Sequence, residues 1–556
     1  MTPVNLLLGP LLRHTGTDEA TIWVQTDAEA RIEVRPAGVE PSSEQTFSVE
    51  GHHYALVHVT GLAPSSTTPY EVVIDDRVVW PEPDSAFPPS VIRTQTPEDH
   101  VKVVFGSCRV AAPHEPPYTL RKDEDERGRE VDALRGMALE LMHKDPETWP
   151  HALVLLGDQV YADEVHPDVE AKLDGEQVET YDDYVDLYMA SWGEPVIRWL
   201  LSTVASAMIF DDHDVHDDWN TSVEWLAEMR QKGWWRRRIV AAFESYLVYQ
   251  HLGNLTYDQR AEYELYQDLQ HGDEPTERLR EYARRADAEV EGTRWSFCRD
   301  IGPARLVMVD SRAGRVLDPG DRAMVDPDEW QWITENATGD HEHLMIGTSL
   351  PLIMGPAMHW LEAWNEVTAD GGWGKLVKKL AEKLRQELDL EHWPAFQDSF
   401  HKMVDHLRAV GAGEHGEPPS TITVLSGDVH HAYLAEIGFP PGSGVKSAVW
   451  QAVCSPFRNP LDASERRVIL GAWTKLAGRW TRIWAKLAGV RDPDVRWRLA
   501  HETPWFNNQV AWLEFDGAHA KFVLVKALPP DDGQGDPIME RVFERSIEPN
   551  RVFART

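Results

Sequence analysis

Apolar and polar residues alternate in short runs through the first hundred positions of the chain. The clearest runs are residues 20–25, 31–35 and 53–59, and glycine, proline, aspartate and serine separate them. A period of two is typical of half-buried β-strands, and a succession of such strands favours an all-β sandwich. We therefore predict a β-sandwich domain over residues 1–98.

The pattern changes from residue 99 onward, where strand-length apolar runs alternate with segments of helical periodicity. This alternation predicts a layered α/β domain, which we place at residues 99–556. Four of its apolar runs break into small residues and then offer a side chain that can bind a metal. Ligands of open α/β sheets bind at the carboxyl ends of the strands, so these loops are expected to converge. The four stretches are residues 103–108, 153–163, 207–213 and 422–430.

Helical periodicity also marks insertions into the α/β domain. Amphipathic helices are predicted within them at residues 234–249 and 374–388. The insertions cover roughly residues 166–205, 216–295, 355–418 and 458–505.

The last hundred residues return to strands. Residues 509–515 and 520–526 flank Asp516 and Gly517, a pair that is typical of tight turns, and they predict a β-hairpin. The tail after Leu528 is acidic and contains proline and glycine. We expect this tail to be less ordered.

Residues 464–499 differ from their surroundings because they carry more lysine and arginine than aspartate and glutamate in an acidic chain. Basic amphipathic helices with tryptophan lie on anionic membranes, and they also form lids and subunit contacts. We predict a packed lid or oligomer contact, a peripheral membrane or phospholipid contact, or an incidental surface helix. The apolar face consists of Trp473, Leu476, Trp480, Trp484 and Leu487.

Composition narrows the class of protein. The chain has 556 residues and a formal net charge of −37, which argues against a general nucleic-acid-binding protein, because such proteins need a basic face. Three cysteines do not suggest a disulfide framework. The amino terminus lacks a basic segment, and no stretch approaches the roughly 18 apolar residues of a membrane span. We expect a cytoplasmic location.

The side chains at the ends of the apolar runs indicate metal chemistry. Thiolate, phenolate and imidazole suit a transition metal, whereas carboxylates suit calcium, magnesium or manganese. Two unlike metals are therefore predicted, and Asp158 could bridge them if it lies between them. Two metals about 3.5–4 Å apart can clamp an in-line displacement at phosphorus. The candidates are Cys108, Asp158, Tyr161, Asp211, Asp212, His213, Asp428, His430 and His431.

Four sequence motifs, at residues 105–108, 157–163, 211–220 and 426–430, occur in the same order along the chain. Together they resemble the motifs of the PhoD-like alkaline phosphatases, a branch of the calcineurin-like metallophosphoesterase superfamily. The resemblance implies a four-layered α/β/β/α metallophosphoesterase domain with helical insertions. The corner at residues 59–70 is similar to that of fibronectin type III modules, which implies a fibronectin III-like β-sandwich in front of it. The motifs are FGSC ending at residue 108, GDQVYAD at 157–163, DDHDVHDDWN at 211–220 and SGDVH ending at 430.

The same resemblance assigns the metal ligands. Ferric iron would be held by Cys108, Asp158, Tyr161 and His430. Calcium would be held by Asp158, Asp212 and Asp428, with manganese, magnesium or zinc as alternatives at this second site. The wider superfamily has a further metal-binding histidine on a strand that here spans residues 344–351 without any histidine. Thr348 or Ser349 could supply an oxygen there.

Three catalytic roles are also expected. His213 is the candidate to bind phosphate or to protonate the leaving oxygen, and Asp214 could orient its ring. Arg312 could contact phosphate or form a structural salt bridge. His431 is expected to point to the other side of the chain from His430.

These observations predict a metal-dependent phosphoester hydrolase in which a metal-bound hydroxide attacks phosphorus in line. A phosphodiesterase, including one directed at phospholipids, is the alternative that the basic tryptophan segment motivates. An alternative from another class is a catalytically silent protein, in which the metals are structural and the insertions bind a partner.

Overall fold

The computed structural model describes residues 3–272, 274–290, 292–369, 371, 374–530 and 535–548. Nine strands lie in the first hundred residues, where sequence alternation predicted them. They form one sheet in the order β1-β2-β6-β5 and a second in the order β4-β3-β7-β8, with β9 paired to β7. The strands are β1 (Leu6–Thr15), β2 (Glu19–Thr26), β3 (Arg31–Pro36), β4 (Ser42–Gln45), β5 (Phe47–Val49), β6 (His52–Thr60), β7 (Thr67–Ile74), β8 (Arg77–Trp80) and β9 (Val91–Arg93).

The two amino-terminal sheets share one hydrophobic core. Ile22 and Val57 from the first sheet and Val34 and Val72 from the second are fully buried in the same cluster. Tyr70 is also buried there, and its hydroxyl donates to the Ser202 carbonyl at 2.6 Å. The facing sides of the two sheets are thus buried, and the first sheet is buried on its other face as well, where Trp23 and Tyr54 belong to the larger core of the chain. The fibronectin type III assignment stays a prediction.

Thirteen further described strands form two larger sheets. One has the order β12-β11-β10-β20-β21-β22, and the other has the order β13-β14-β15-β16-β18-β17-β19. The strands are β10 (Val101–Gly106), β11 (Ala152–Leu156), β12 (Ala205–Ile209), β13 (Phe297–Ile301), β14 (Ala304–Val309), β15 (His343–Thr348), β16 (Thr421–Ser426), β17 (Tyr433–Gly438), β18 (Ala448–Val453), β19 (Arg496–Leu499), β20 (Gln509–Asp516), β21 (His519–Leu528) and β22 (Ile538–Ile547).

Parallel pairing aligns the carboxyl ends that carry the candidate ligands. Strands β10, β11 and β12 are parallel to one another, as are β14, β15, β16 and β18. Their loops also bond across the two sheets, because the Phe457 amide donates to the Ser107 carbonyl at 2.8 Å and the Arg458 amide donates to the Cys108 carbonyl at 3.0 Å. The carboxyl ends of both sheets are therefore held together.

Helices occupy the insertions that sequence periodicity predicted. Three short helical segments, Pro146–Thr148, Tyr246–His251 and Trp393–Ala395, accompany the α-helices. The α-helices are α1 (Ala133–Leu141), α2 (Pro167–Glu170), α3 (Tyr181–Trp192), α4 (Pro195–Thr203), α5 (Val223–Met229), α6 (Trp235–Ser245), α7 (Leu252–Asn254), α8 (Tyr257–Glu262), α9 (Glu264–His271), α10 (Pro275–Ala288), α11 (Pro327–Asn336), α12 (Pro356–Ala369), α13 (Lys375–Glu387), α14 (Gln397–Ala412), α15 (Ala463–Ala472) and α16 (Lys475–Leu487). Within the described residues, none of these helices is both long and apolar enough to cross a membrane.

The carboxyl-terminal strands confirm one prediction and correct another. Strands β20 and β21 pair as an antiparallel hairpin that turns after Asp516. The expectation of a less ordered tail is wrong for residues 535–548, because β22 pairs antiparallel with β21. Most of its side chains are exposed or half-buried, so its apolar pattern is weak and the backbone ladder supplies the order. Residues 531–534 and 549–556 lie outside the described part of the chain.

Candidate metal centre

The candidate ligands stand on turns at the ends of β10, β11 and β16. Cys108, Asp158, Asp428 and His430 have φ angles of 56°, 55°, 64° and 50°, a left-handed backbone that is uncommon outside glycine. Hydrogen bonds hold these turns, since the Asp428 amide donates to Ser107 Oγ at 2.9 Å and the Cys108 amide donates to the Gly157 carbonyl at 3.4 Å. Strained backbone kept by such links is typical of functional sites.

Three predicted ligands meet in a compact acidic cluster. Carboxylate oxygens of Asp158, Asp212 and Asp428 all lie within 4.8 Å of one another. Asp158 Oδ1 is buried without a hydrogen-bond partner among the described residues, whereas Oδ2 accepts from the Tyr161 hydroxyl at 3.3 Å. A second group of potential ligands, formed by Asp212, His213 and Asp217, satisfies the same distance.

Electrostatics of this cluster favour a cation. Burial raises the pKa of Asp158 well above its ordinary value, and the carboxylates of Asp212 and Asp211 raise it further. Burial likewise raises the pKa of Asp212 to about 6. A cation between these oxygens would lower the pKa values and offset the repulsion. The orphaned Asp158 oxygen and the donor set therefore fit a metal site.

The softer predicted ligands border the same cluster. Cys108 is fully buried, with Sγ 3.5 Å from the Asp428 carbonyl oxygen. Tyr161 stacks on the His213 ring with centroids 4.5 Å apart. Burial lowers the pKa of His430 to about 3, which favours the neutral imidazole that binds metals. His431 instead packs among Tyr433, Trp473 and Phe506.

Arg312 is fully buried among the carboxylates. Its Nη2 lies 3.1 Å from Asp212 Oδ1 and 3.8 Å from Asp428 Oδ1, and its Nη1 lies 2.6 Å from Glu391 Oε2. Asp211 also pairs with this guanidinium. Of the two expected roles, the structure therefore contains the salt bridge, and a contact with phosphate stays a prediction.

The ring of His213 is held by Asp163, which the sequence did not single out. His213 Nδ1 lies 2.9 Å from Asp163 Oδ1. Burial alone would lower the pKa of His213, but the carboxylates of Asp163 and Asp212 raise it well above its ordinary value. Asp163 belongs to the motif at residues 157–163, but the spacing of residues along the chain does not predict its contact with His213.

Asp214, the predicted orienting residue, makes other contacts. Its Oδ2 accepts from the Asp158 and Asp211 amides, each at 2.9 Å, and its Oδ1 accepts from the Val160 amide at 3.3 Å. The prediction that Asp214 orients His213 is corrected by these bonds. The turn after β12 directs this carboxylate at backbone donors, so Asp214 fixes the loop that carries Asp158.

His392 reaches the cluster from the helical insertion and was also missed. Its Nε2 lies 3.0 Å from Asp428 Oδ2, and its Nδ1 lies 2.8 Å from Glu362 Oε1. The hydroxyls of Thr348 and Ser349, which were considered as oxygen ligands, both bond to Ser311 Oγ. A histidine far along the chain from the four motifs had no local signal.

A comparison with protein families now identifies the chain. The model described as PhoD-like phosphatase matches residues 135–477. The chain belongs to the PhoD-like phosphatase family. It is a hydrolase that acts on phosphoester bonds, and its family is one of metal-dependent phosphatases. Residues 3–92 match a model described as a domain of unknown function, DUF7800.

Comparison with solved structures concerns the fold alone. A structure titled "Structure of PhoD" has a TM-score of 0.59 and 11% sequence identity, covering 99% of this chain and 92% of its own. The purple acid phosphatase PPD1 from yellow lupin seeds has a TM-score of 0.49 and 10% identity, with coverages of 97% and 74%. A search of curated protein sequences finds no match.

Proposed function

We propose that this PhoD-like phosphatase hydrolyses phosphate esters at a two-metal centre at the carboxyl ends of its parallel strands. The observation that carries the proposal is the group of three carboxylates within 4.8 Å, with Asp158 Oδ1 lacking a protein partner. The first ion would be Fe³⁺, held by Cys108, Asp158, Tyr161 and His430. The second would be Ca²⁺, or Mn²⁺, Mg²⁺ or Zn²⁺, held by Asp158, Asp212 and Asp428.

Side chains around the metal centre would supply the proton transfer and the positioning that hydrolysis also needs. Bound metal ions polarise a phosphoryl oxygen and acidify water. Hydrolysis adds one water to phosphorus and breaks the bond to the ester oxygen, which then needs a proton. His213, held by Asp163, would give that proton to the leaving oxygen. Arg312 would hold the charged carboxylates of Asp211 and Asp212 in place.

The test combines metal content with one substitution. Plasma mass spectrometry of protein purified without added metal is expected to find iron with a second cation. Asp158→Asn is expected to lose bound metal and at least about 100-fold in hydrolysis, while circular dichroism shows a retained fold. Asp182→Asn, whose side chain is 79% exposed, is the matched control. Zinc alone, or no stoichiometric metal, would refute the ligand assignment.

Activity assays on the same purified proteins distinguish the enzyme from the catalytically silent alternative. A metal-loaded wild type that turns over no phosphate monoester or diester would support structural metals. Hydrolysis by the wild type, lost on Asp158→Asn with the fold retained, would exclude it.

A second candidate, hydrolysis of phosphodiesters at an anionic membrane, is favoured by the exposed face of α16. Trp480 is 58% and Leu487 is 71% exposed, whereas Trp473 is buried against His431 and Tyr433. The opposite face packs on α12, where Ala485 and Trp360 share a small core. An exposed apolar stripe beside basic residues suits a lipid surface.

Two measurements test this candidate. A monoester and a bis-ester of the same leaving group are compared, and no diester turnover would exclude it. Sedimentation with anionic and zwitterionic vesicles should show binding to the anionic ones alone, reduced by Trp480→Ala with Trp484→Ala. Leu380→Ala, which removes a 67% exposed side chain from α13, should leave vesicle binding unchanged.

We also propose the finer architecture that the motifs implied. Residues 1–98 would form a fibronectin III-like sandwich, and residues 99–556 a four-layered α/β/β/α domain. Burial supports the layering, because Met308 and Met345 lie in one core with Phe105, while Val307 and Ile346 on the opposite face lie in another. Limited proteolysis tests the boundary, with cleavage expected near residue 98.

A further inference from the structure

His392 occupies an unusual position between two carboxylates. It lies just before the short helical segment Trp393–Ala395, and its side chain is almost fully buried. Nε2 is 3.0 Å from Asp428 Oδ2, and Nδ1 is 2.8 Å from Glu362 Oε1. Glu362 is itself fully buried within α12. The imidazole thus links the helical insertion to the acidic cluster.

If the ring is neutral and both carboxylates are ionised, one of its two carboxylate contacts lacks a proton. A neutral imidazole has one N–H donor and one acceptor nitrogen. If Nδ1 donates to Glu362, the lone pair of Nε2 faces a carboxylate oxygen of Asp428. Two acceptors 3.0 Å apart repel each other unless a proton or a metal ion lies beside both. Neighbouring ligand atoms at about 2.0–2.2 Å from one ion are about 3 Å apart in octahedral geometry and about 3.3–3.6 Å apart in tetrahedral geometry.

Glu362 contacts the second ring nitrogen of His392, as a carboxylate commonly does for a metal-binding histidine. Such a histidine usually donates its second ring N–H to a carboxylate, which fixes the tautomer and the ring orientation. The segment is anchored beside His392, because Trp393 Nε1 donates to Thr348 Oγ1 at 3.2 Å, at the end of β15. His392 is therefore positioned by contacts independent of Asp428.

We propose that His392 Nε2 is a ligand of the second cation, next to Asp428, and that Glu362 holds the ring in the ligating tautomer. This inference rests on the proposed two-metal centre and sharpens it. Imidazole suits divalent transition metals, whereas calcium takes oxygen ligands. The second ion is then Mn²⁺ or Zn²⁺ rather than Ca²⁺.

The test is metal binding to the full chain, measured apart from activity. Apoprotein prepared with a chelator and reloaded with iron is titrated calorimetrically with Mn²⁺, Zn²⁺ and Ca²⁺. His392→Ala is expected to weaken Mn²⁺ and Zn²⁺ binding at least tenfold and Ca²⁺ binding little. Glu362→Gln is expected to weaken Mn²⁺ binding about 10–100-fold. His359→Ala is the control, since it removes a buried imidazole of α12 that packs against the rings of Trp360, Phe400 and Trp497.

A spectroscopic readout separates a ligand from a structural residue. Electron spin echo modulation of bound Mn²⁺ should show nitrogen coupling in the wild type and in His359→Ala, and no such coupling in His392→Ala. If His392→Ala does not fold, His392→Gln carries the same comparison. Two bound metals with unchanged Mn²⁺ affinity and nitrogen coupling in the variant would overturn the inference alone. A wild type that binds no second cation would overturn the proposed centre as well.

Discussion

Replacing Asp163 with asparagine tests whether the His213 ring acts on the leaving group. The Asp163 carboxylate contacts His213 Nδ1 with both oxygens, at 2.9 and 3.1 Å, and Oδ2 also accepts the Asp217 amide at 2.6 Å. Asparagine keeps one acceptor oxygen and loses the negative charge. It can satisfy the backbone amide, but it no longer holds a protonated His213.

The expected size follows from the bond that is lost. A hydrogen bond to a charged group contributes about 1.5–3 kcal/mol. At about 1.36 kcal/mol per factor of ten in rate, this corresponds to a decrease of roughly 10–150-fold in kcat. The decrease should be large for an alkyl phosphate, whose leaving oxygen needs a proton, and small for p-nitrophenyl phosphate, whose leaving oxygen does not.

Steady-state kinetics with both esters provide the assay. Asp182→Asn is the control, because it alters a histidine–carboxylate pair at the surface, where Asp182 Oδ1 lies 2.7 Å from His52 Nε2. Metal content of Asp163→Asn should match the wild type, and circular dichroism should show a retained fold. An equal decrease for the two esters would refute proton donation by His213, because loss of phosphate binding affects both alike.

Three other predictions follow from the contacts around the centre and in the core. Gly427→Ala places a Cβ 2.1 Å from Ser107 Oγ, so urea denaturation should show a loss of about 1–3 kcal/mol, while Gly233→Ala, which meets nothing within 4 Å, should show little. Burial lowers the pKa of His251 from 6.5 to about 3, so the folded state disfavours protonation and stability falls as pH drops below 6.5. His251 therefore lowers the free energy of unfolding by about 2 kcal/mol at pH 5. Between pH 7 and pH 5, the free energy of unfolding of His251→Leu should fall by about 2 kcal/mol less than that of the wild type. Cys108→Ser should lower the iron content at least about tenfold by elemental analysis, and unchanged iron would remove Cys108 from the ligand set.

Local sequence patterns predict many of the secondary-structure elements and the loops that carry most of the candidate metal ligands. Residues 509–515 and 520–526 form the predicted hairpin, because a short turn makes its partners neighbours in sequence. The ends of β10 and β11 lie at one edge because these strands are parallel neighbours, whereas β16 belongs to the other sheet and its end meets theirs through the bond from the Asp428 amide to Ser107 Oγ. Strand periodicity therefore predicts that Cys108 and Asp158 lie close together, and the packing of the two sheets adds Asp428.

Long-range partners of those ligands could not be predicted in this way. Asp214 lies beside His213 in sequence, but the turn directs its carboxylate to backbone amides, whereas Asp163 approaches from another loop. The position of His392 depends on how the helical insertion packs. The helical periodicity of that insertion does not predict where the loop before α14 lies. Such contacts depend on tertiary packing, which a single sequence does not encode in its spacing.

The position of β10 between β11 and β20 has a consequence for biosynthesis. The strand that leads to Cys108 acquires its second neighbour only when Gln509–Asp516 has left the ribosome. Until then, one edge of β10 is open to aggregation or to chaperones, as is common when distant segments must pair. Asp428 is made long after Cys108 and Asp158, so the three-carboxylate cluster can assemble only once β16 has also left the ribosome.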